Sequence, residues 1–99
     1  MIYRIFSITA KPGKMPEARQ LALEFTAHVV ENYGHKMEVL SNISGPSNQL
    51  HWVGRYESLA DLEAMQEKWN KDPKVQEVRA KVPELFENDS EFSLFRVES

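Results

Sequence analysis

The chain has 99 residues, a net charge of −3 and no cysteine, and charges of both signs are scattered along its whole length. A chain of this size forms one domain, so we expect a single domain over residues 1–99. The missing basic stripe argues against a nucleic-acid partner, and the missing cysteines exclude a disulfide framework and a thiolate site.

The first half of the chain predicts a strand, a helix and a second strand. Residues 2–10 alternate as a strand does and set two rows of side chains on opposite faces: Ile2, Arg4, Phe6 and Ile8 against Tyr3, Ile5, Ser7 and Thr9. The apolar spacing then changes to that of a helix, which we expect to end near Gly34, because glycine tolerates a left-handed helix C-terminus. Residues 36–44 alternate again and predict a strand with Ile43 on the same face as Met37.

Residues 45–63 predict a turn, a third strand and the start of a second helix. The segment 45–48 contains glycine, proline and asparagine, which favour turns. Ser58 is the candidate N-cap of the helix, and Asp61 follows in its first turn. The alternation over residues 49–56 separates two groups of side chains: Leu50, Trp52 and Tyr56 against His51, Val53 and Arg55.

The last third of the chain predicts a short helix and a fourth strand. Asp72 is a candidate N-cap, Pro73 suits the first helical position, and we expect Pro83 to end this helix. Residues 91–97 predict the last strand. The order β-α-β-β-α-β is the α+β ferredoxin-like arrangement, a four-stranded antiparallel sheet with two main helices on one face.

The sheet face that the helices leave uncovered is predicted to be apolar. It carries six large apolar or aromatic side chains: Tyr3, Ile5, Leu40, Val53, Phe95 and Val97. So much exposed apolar area on a small domain predicts association. We therefore expect a homodimer joined sheet to sheet, with two-fold symmetry because the same face serves both subunits.

Five segments spread over nearly the whole chain carry a family resemblance: Ile2-Tyr3, Lys11-Pro12-Gly13-Lys14, residues 45–49, residues 56–61 and Asp72-Pro73. In these segments the chain resembles the dimeric α/β barrel superfamily and, within it, the NIPSNAP-like proteins. The resemblance implies a dimer whose two sheets form a barrel, with a cavity between helices and sheet in each subunit. Related barrels include cofactor-independent monooxygenases acting on aromatic polyketides, small cyclases and haem-degrading enzymes, so the fold leaves the activity open.

The chain departs from the family pattern at three places. The family commonly carries an arginine where this chain has Phe6, and a histidine where it has Trp52. Haem-degrading relatives use a helical histidine as iron ligand, and no histidine lies between Lys71 and Glu91. No His, Asp or Glu cluster has metal-ligand spacing either. We therefore expect no metal and no bound cofactor.

One candidate catalytic group consists of His51, Arg55 and Tyr3. A general base, a cationic anchor and a phenol would converge if the first and third strands are neighbours. The alternative is that these side chains lie at the dimer seam and bind the partner's strands through hydrogen bonds.

A candidate ligand site is formed by four aromatic side chains: Trp52, Trp69, Phe6 and Phe25. Trp52 and Trp69, one from each side of the helix–sheet interface, would line a cavity for a planar ligand. The alternative is that these side chains simply fill the core, since aromatic residues at helical spacing are mostly core residues.

Three functions remain open from the sequence. The first is a dimeric barrel that binds a small apolar or aromatic molecule between sheet and helices. The second is a cofactor-independent monooxygenase or an isomerase or cyclase on an aromatic or polyketide-like substrate, with His51 as base and Arg55 steadying an enolate or phenolate. The third is a structural or adaptor barrel whose cavity is filled by its own side chains.

The sequence also sets an expectation for location. No apolar run approaches the roughly 20 residues of a membrane span, so we expect no membrane partner. No basic segment followed by an apolar segment precedes the first predicted strand, as a signal peptide would require. We therefore expect a cytoplasmic protein.

Overall fold

A computed structural model describes all 99 residues of the chain. Its strands form one antiparallel sheet in the order β2-β3-β1-β4, which confirms the ferredoxin-like arrangement. None of its helices is long and apolar enough to cross a membrane. The elements are β1 (Ile2–Thr9), α1 (Met15–Tyr33), β2 (Met37–Ser41), β3 (Gln49–Tyr56), α2 (Leu59–Asn70), α3 (Pro73–Leu85) and β4 (Glu91–Arg96).

The helix boundaries that have local capping signals are where the sequence predicts them. Gly34 ends α1 with a φ of 62°, and its N–H donates to the carbonyl of Val30 at 3.0 Å. A residue with a side chain would be strained in this left-handed conformation. The hydroxyl of Ser58 accepts a hydrogen bond from the N–H of Asp61 at 3.2 Å and caps α2. Both predicted ends are confirmed.

The second strand is shorter than predicted, because Asn42 turns the chain. Its Nδ2 donates to the carbonyl of Pro46 at 2.7 Å and to Oε1 of Gln49 at 3.1 Å. The strand therefore covers Met37–Ser41 rather than residues 36–44. Ile43, which the alternation places on the face of Met37, is fully exposed in the turn.

The prediction that Pro83 ends α3 is wrong. Proline has no N–H and cannot donate to the carbonyl four residues earlier, so one helical hydrogen bond is lost. The next turn still closes, because the N–H of Phe86 donates to the carbonyl of Val82 at 2.9 Å. The helix therefore continues through Pro83 to Leu85.

Asp72 joins the end of α1 to the start of α3. Its Oδ1 accepts from the N–H groups of Lys74 at 2.8 Å and Val75 at 3.4 Å, which confirms it as an N-cap. Its Oδ2 accepts from the hydroxyl of Tyr33 at 2.5 Å and lies 2.7 Å from Nε2 of His28. These hydrogen bonds, led by that of Tyr33, favour the ionised carboxylate and hold the pKa of Asp72 well below its usual range.

The lowered pKa of Asp72 predicts a pH-dependent stability. A carboxyl whose pKa is lower folded than unfolded stabilises the fold fully above its unfolded pKa of about 3.9, and this stabilisation is lost as the pH falls through the folded pKa. We expect the Tm of the wild type to fall between about pH 5 and pH 2, and that of Asp72→Asn to fall less, because an amide does not titrate. At neutral pH the variant should melt several degrees lower.

Thermal unfolding followed by circular dichroism checks this expectation. Asp61→Asn is the matched control, since the carboxylate of Asp61 accepts no hydrogen bond while its backbone N–H binds Ser58. If Asp72→Asn and the wild type lose Tm in parallel over this range, Asp72 does not carry the pH dependence.

The core lies between one sheet face and the helices, and the other face, here called the outer face, is partly apolar. Leu40, Phe95 and Val97 are about half exposed there. Val53, expected to be exposed as well, is only 8% exposed. The reason is its central position, since Ile5 of β1 and Glu38 of β2 flank it in register.

Candidate functional site

A cleft of about 170 Å³ lies between the sheet and the helices and is partly open to solvent. Strands β1 and β3 form its floor and the three helices its walls. All four aromatic residues predicted to form a ligand site line it. The full lining consists of nine apolar side chains and two arginines: Phe6, Ile8, Leu21, Phe25, Trp52, Trp69, Val78, Val82, Phe86, Arg4 and Arg79.

The aromatic walls of the cleft are held by edge-to-face packing. The rings of Phe6 and Trp52 are 5.7 Å apart at 64°, and those of Phe25 and Trp69 are 5.5 Å apart at 73°. Phe86 packs on Trp52 at 5.9 Å. Such pairs stabilise by about 0.5–1.5 kcal/mol beyond the area they bury, so the ring orientations are well defined.

The two arginines of the cleft were not predicted as site residues, although the sequence carries a signal for each. Arg4 stands in the same row as Phe6, on the strand face that the helices cover. Arg79 lies four residues after Val75 and three before Val82, on the apolar stripe of α3. A cation within a row of buried apolar residues is the feature that would have identified both.

Arg4 is a partly buried cation packed against two rings. Its guanidinium carbon lies 4.7 Å from the ring centre of Phe92 and 5.6 Å from that of Trp69. It forms no ion pair, and its Nε is buried without a hydrogen-bond partner. Burial lowers the pKa of Arg4; a smaller effect of Tyr56 raises it, and the charge of Arg79 lowers it.

Tyr56 lies beside Arg4 because its ring folds back over Gly54. A Cβ at position 54 would come within 3.0 Å of that ring, and Gly54 is the register partner of Arg4. The ring of His35 stacks on Tyr56 at 4.5 Å. Burial raises the pKa of Tyr56 and lowers that of His35, so both groups are neutral at pH 7.

These residues form one inner polar cluster: Arg4, His35, Tyr56 and Trp69. Each has a buried side-chain nitrogen or oxygen with no hydrogen-bond partner, namely Nε, Nε2, the hydroxyl oxygen and Nε1, and no other buried side-chain atom lacks one. Buried polar groups in proteins are nearly always hydrogen-bonded. Two of the four residues, Arg4 and Trp69, line the cleft. All buried side-chain nitrogen and oxygen atoms without a partner therefore belong to this cluster, which adjoins the cleft through Arg4 and Trp69.

The predicted catalytic residues lie on the outer face, across the sheet from the cleft. Tyr3 and Arg55 are register partners, and the guanidinium carbon of Arg55 lies 5.2 Å from the ring centre of Tyr3. Arg55 also donates to Oε1 of Glu38 at 3.2 Å. The structure thus brings Tyr3 and Arg55 together, and the guanidinium of Arg55 is already paired with Glu38 of the same chain.

His51 stands apart from this pair on the outer face. Its Nδ1 lies 2.6 Å from Oγ of Ser7, its register partner, and its Nε2 lies 2.6 Å from Oδ1 of Asn42. An amide oxygen only accepts, so Nε2 donates and Nδ1 accepts from the serine hydroxyl. Both ring nitrogens are therefore used inside the chain. No group of three or more His, Asp or Glu side chains is placed to hold a metal ion.

The fold and the cleft define a class, a ferredoxin-like α+β domain with an apolar cavity between sheet and helices. No protein-family model matches the chain, and no curated protein matches it. Solved structures do. An uncharacterized NIPSNAP domain protein from Burkholderia xenovorans superposes with a TM-score of 0.85 at 16% identity, covering 100% of this chain and 96% of that one.

Two further solved structures have a similar fold. A NIPSNAP family protein from Agrobacterium tumefaciens has a TM-score of 0.81 at 23% identity, and the superposition covers 95% of this chain and 82% of that protein's chain. A candidate antibiotic biosynthesis monooxygenase from Deinococcus radiodurans has a TM-score of 0.77 at 14% identity, and the superposition covers 100% of this chain and 94% of that protein's chain. At these identities the comparison confirms the resemblance at the level of the fold.

Proposed function

We propose that the protein binds a small apolar or aromatic molecule in the cleft between its sheet and helices. The observation that carries this proposal is the cleft itself, about 170 Å³ of space behind nine apolar side chains. An engineered apolar cavity of about 150 Å³ holds a benzene molecule, so one aromatic ring fits. A second hollow of about 400 Å³ shares four lining residues with the cleft, so a longer ligand can extend into it: Phe6, Ile8, Val82 and Phe86.

The same space argues against a purely structural barrel. A structural barrel would have this cavity filled by its own side chains. Here about 170 Å³ stays unfilled between the sheet and the helices, and the cleft is open to solvent, so a ligand can enter it.

A homodimer formed through the outer face is part of the proposal. Leu40 and Phe95 belong to the two edge strands of the sheet and are both exposed on this face. A second copy presenting the same face would cover both of them and also Val97. The cleft lies on the opposite side of the sheet, so dimer formation leaves it accessible.

A thermal-shift screen against quinones, polyphenols, haem and fatty acids tests the binding function. A ligand that binds only the folded state at about 100 times its Kd adds about 2.7 kcal/mol, which raises the Tm of a domain of this size by roughly 10–20 °C. We expect at least one aromatic class to do so.

Val82→Phe provides the matched control for that screen. Val82 lines both hollows and is only half-buried, so a larger side chain there fills the ligand space without entering the tightly packed core. The ligand-induced shift should disappear in this variant. A wild type that responds to no compound, or a Val82→Phe variant that responds equally, would contradict binding in the cleft.

A second candidate function is a cofactor-independent monooxygenase, isomerase or cyclase, and the likeness to the Deinococcus radiodurans protein favours it. In that case His51 would act as base and Arg55 would steady an enolate or phenolate. Since both lie on the outer face, the reaction would take place between the two sheets of the dimer. Oxygen consumption or product formation with compounds that bind, lost in His51→Ala and retained in Val82→Phe, would favour this function over binding alone.

A further inference from the structure

The cleft holds two positive charges and no negative one. Arg4 forms no ion pair, and the only hydrogen bond of the Arg79 side chain goes to a neutral group, Oδ1 of Asn70 at 2.8 Å. The carboxylates of the chain bind elsewhere or face solvent: none lies within ion-pair distance of either guanidinium. Burying part of a cation without a partner is costly, and the folded protein accepts this at Arg4, whose Nε is buried.

We propose that the ligand of the cleft is an aromatic monocarboxylate whose carboxylate group binds the guanidinium of Arg4. This inference rests on the binding function proposed above and names its ligand class. A guanidinium presents parallel N–H donors that match the two oxygens of a carboxylate. Nε of Arg4 is buried, and neither of its Nη atoms has a hydrogen-bond partner within the chain, so the Nη groups are the donors that a ligand in the cleft can reach.

The geometry around Arg4 favours recognition of a flat anion. The rings of Phe92 and Trp69, at 4.7 and 5.6 Å from its guanidinium carbon, restrict the side chain before a ligand arrives. A preorganised donor loses less conformational entropy on binding. The remaining walls are aromatic and aliphatic, so the part of the ligand beyond the carboxylate has to be apolar.

The charges also set the number of negative charges on the ligand. Arg79 is exposed to solvent and already donates to Asn70, so Arg4 is the cation of the cleft that packs against aromatic rings without a hydrogen-bond partner. A neutral molecule would leave Arg4 unpaired, and a phosphate dianion would bring a larger hydration shell than an apolar cleft of about 170 Å³ accommodates. A single carboxylate satisfies both restrictions.

Paired probes test the proposal on the wild-type protein. Isothermal titration calorimetry compares benzoate with benzamide and phenylacetate with phenylacetamide, which have nearly the same shape and differ in charge. A hydrogen bond to a charged group contributes about 1.5–3 kcal/mol, so we expect each carboxylate to bind at least about tenfold more tightly than its amide. The difference should shrink as salt is added, because one ion pair is partly screened.

Arg4→Met tests the assignment to a residue. Methionine keeps the apolar stem and removes the charge, so carboxylate binding should fall to the level of the amide while amide binding is retained. The unliganded variant should have a Tm equal to or above that of the wild type, because a partly buried cation without an ion-pair partner has been removed while the methionine side chain keeps its packing against the rings. Arg19→Met, at an exposed position of α1 away from the cleft, is the matched control and should change neither quantity. If Arg4→Met does not fold, Arg4→Gln keeps a polar tip without the charge and should weaken carboxylates severalfold more than amides.

The outcomes separate the two proposals. Equal binding of carboxylates and amides would leave the binding function standing and overturn the carboxylate class. A carboxylate preference that persists in Arg4→Met, or a clear loss of Tm in that variant, would overturn the role of Arg4. If neither the carboxylates nor the amides bind at millimolar concentration, the binding function is contradicted, and this inference with it.

Discussion

Replacing Trp69 with alanine is expected to lower the free energy of unfolding by about 3–5 kcal/mol. Trp69 is 1% exposed and is the largest fully buried side chain of the protein. Its ring packs edge-on against that of Phe25 at 5.5 Å, and the alanine variant loses both this contact and the apolar area that the indole buries. Since domains typically have about 5–15 kcal/mol in total, the variant keeps a small part of the original stability. Urea unfolding followed by far-ultraviolet circular dichroism measures the difference.

Trp69→Phe is the control that separates ring packing from the rest. The phenyl ring keeps the edge-on contact with Phe25, and the indole N–H that it removes has no partner within the chain. We expect this variant to lose less than half of what the alanine variant loses. A loss below about 1 kcal/mol for Trp69→Ala would mean that the cleft closes over the gap, and would contradict a rigid aromatic wall.

Replacing Phe95 with lysine is expected to convert the proposed homodimer into a monomer. Phe95 is 52% exposed on the outer face, so the single chain should tolerate the change. In a sheet-to-sheet dimer the ammonium group would be buried without a partner, and we expect the dimer dissociation constant to rise by about two orders of magnitude. Sedimentation velocity at micromolar concentration should show a fall from twice the chain mass to the 11.5 kDa of one chain.

Leu23→Lys is the matched control for the dimer. Leu23 is 54% exposed on α1, on the helix side of the sheet. Its replacement by lysine adds the same charge as Phe95→Lys but outside the outer face. It should sediment as the wild type does. A wild type that sediments as a single chain at this concentration, or a Phe95→Lys variant that remains dimeric, would refute association through the outer face.

The fold could be read from the sequence because its signals are local. Gly34, Ser58 and Asp72 act on backbone groups within four residues, and each does in the structure what its residue type predicts. The misplaced boundaries depend on more than the adjacent residues. The last turn of α3 forms despite Pro83 because the N–H of Phe86 still donates to the carbonyl of Val82. Strand β2 ends early because the side-chain amide of Asn42 donates to the carbonyl of Pro46 across a turn.

The aromatic lining of the candidate site could be predicted from the sequence, but its unpaired arginine could not. Periodicity alone places Phe6 and Trp52 on the covered sheet face, where they line the cleft. The same alternation places Arg4 beside them, yet what distinguishes Arg4 is the lack of a partner, which depends on residues far away along the chain.

The central position of β1 in the sheet has a consequence for folding kinetics. Both of its edges are paired, one with β3 and the other with β4, so its register partners lie at least 40 positions further along the chain in β3 and more than 80 in β4. Such non-local pairing slows folding relative to helical domains. Until the last strand arrives, an apolar segment with open edges is available to other chains. The strand that carries Arg4 is thus the one whose protection from aggregation is completed last.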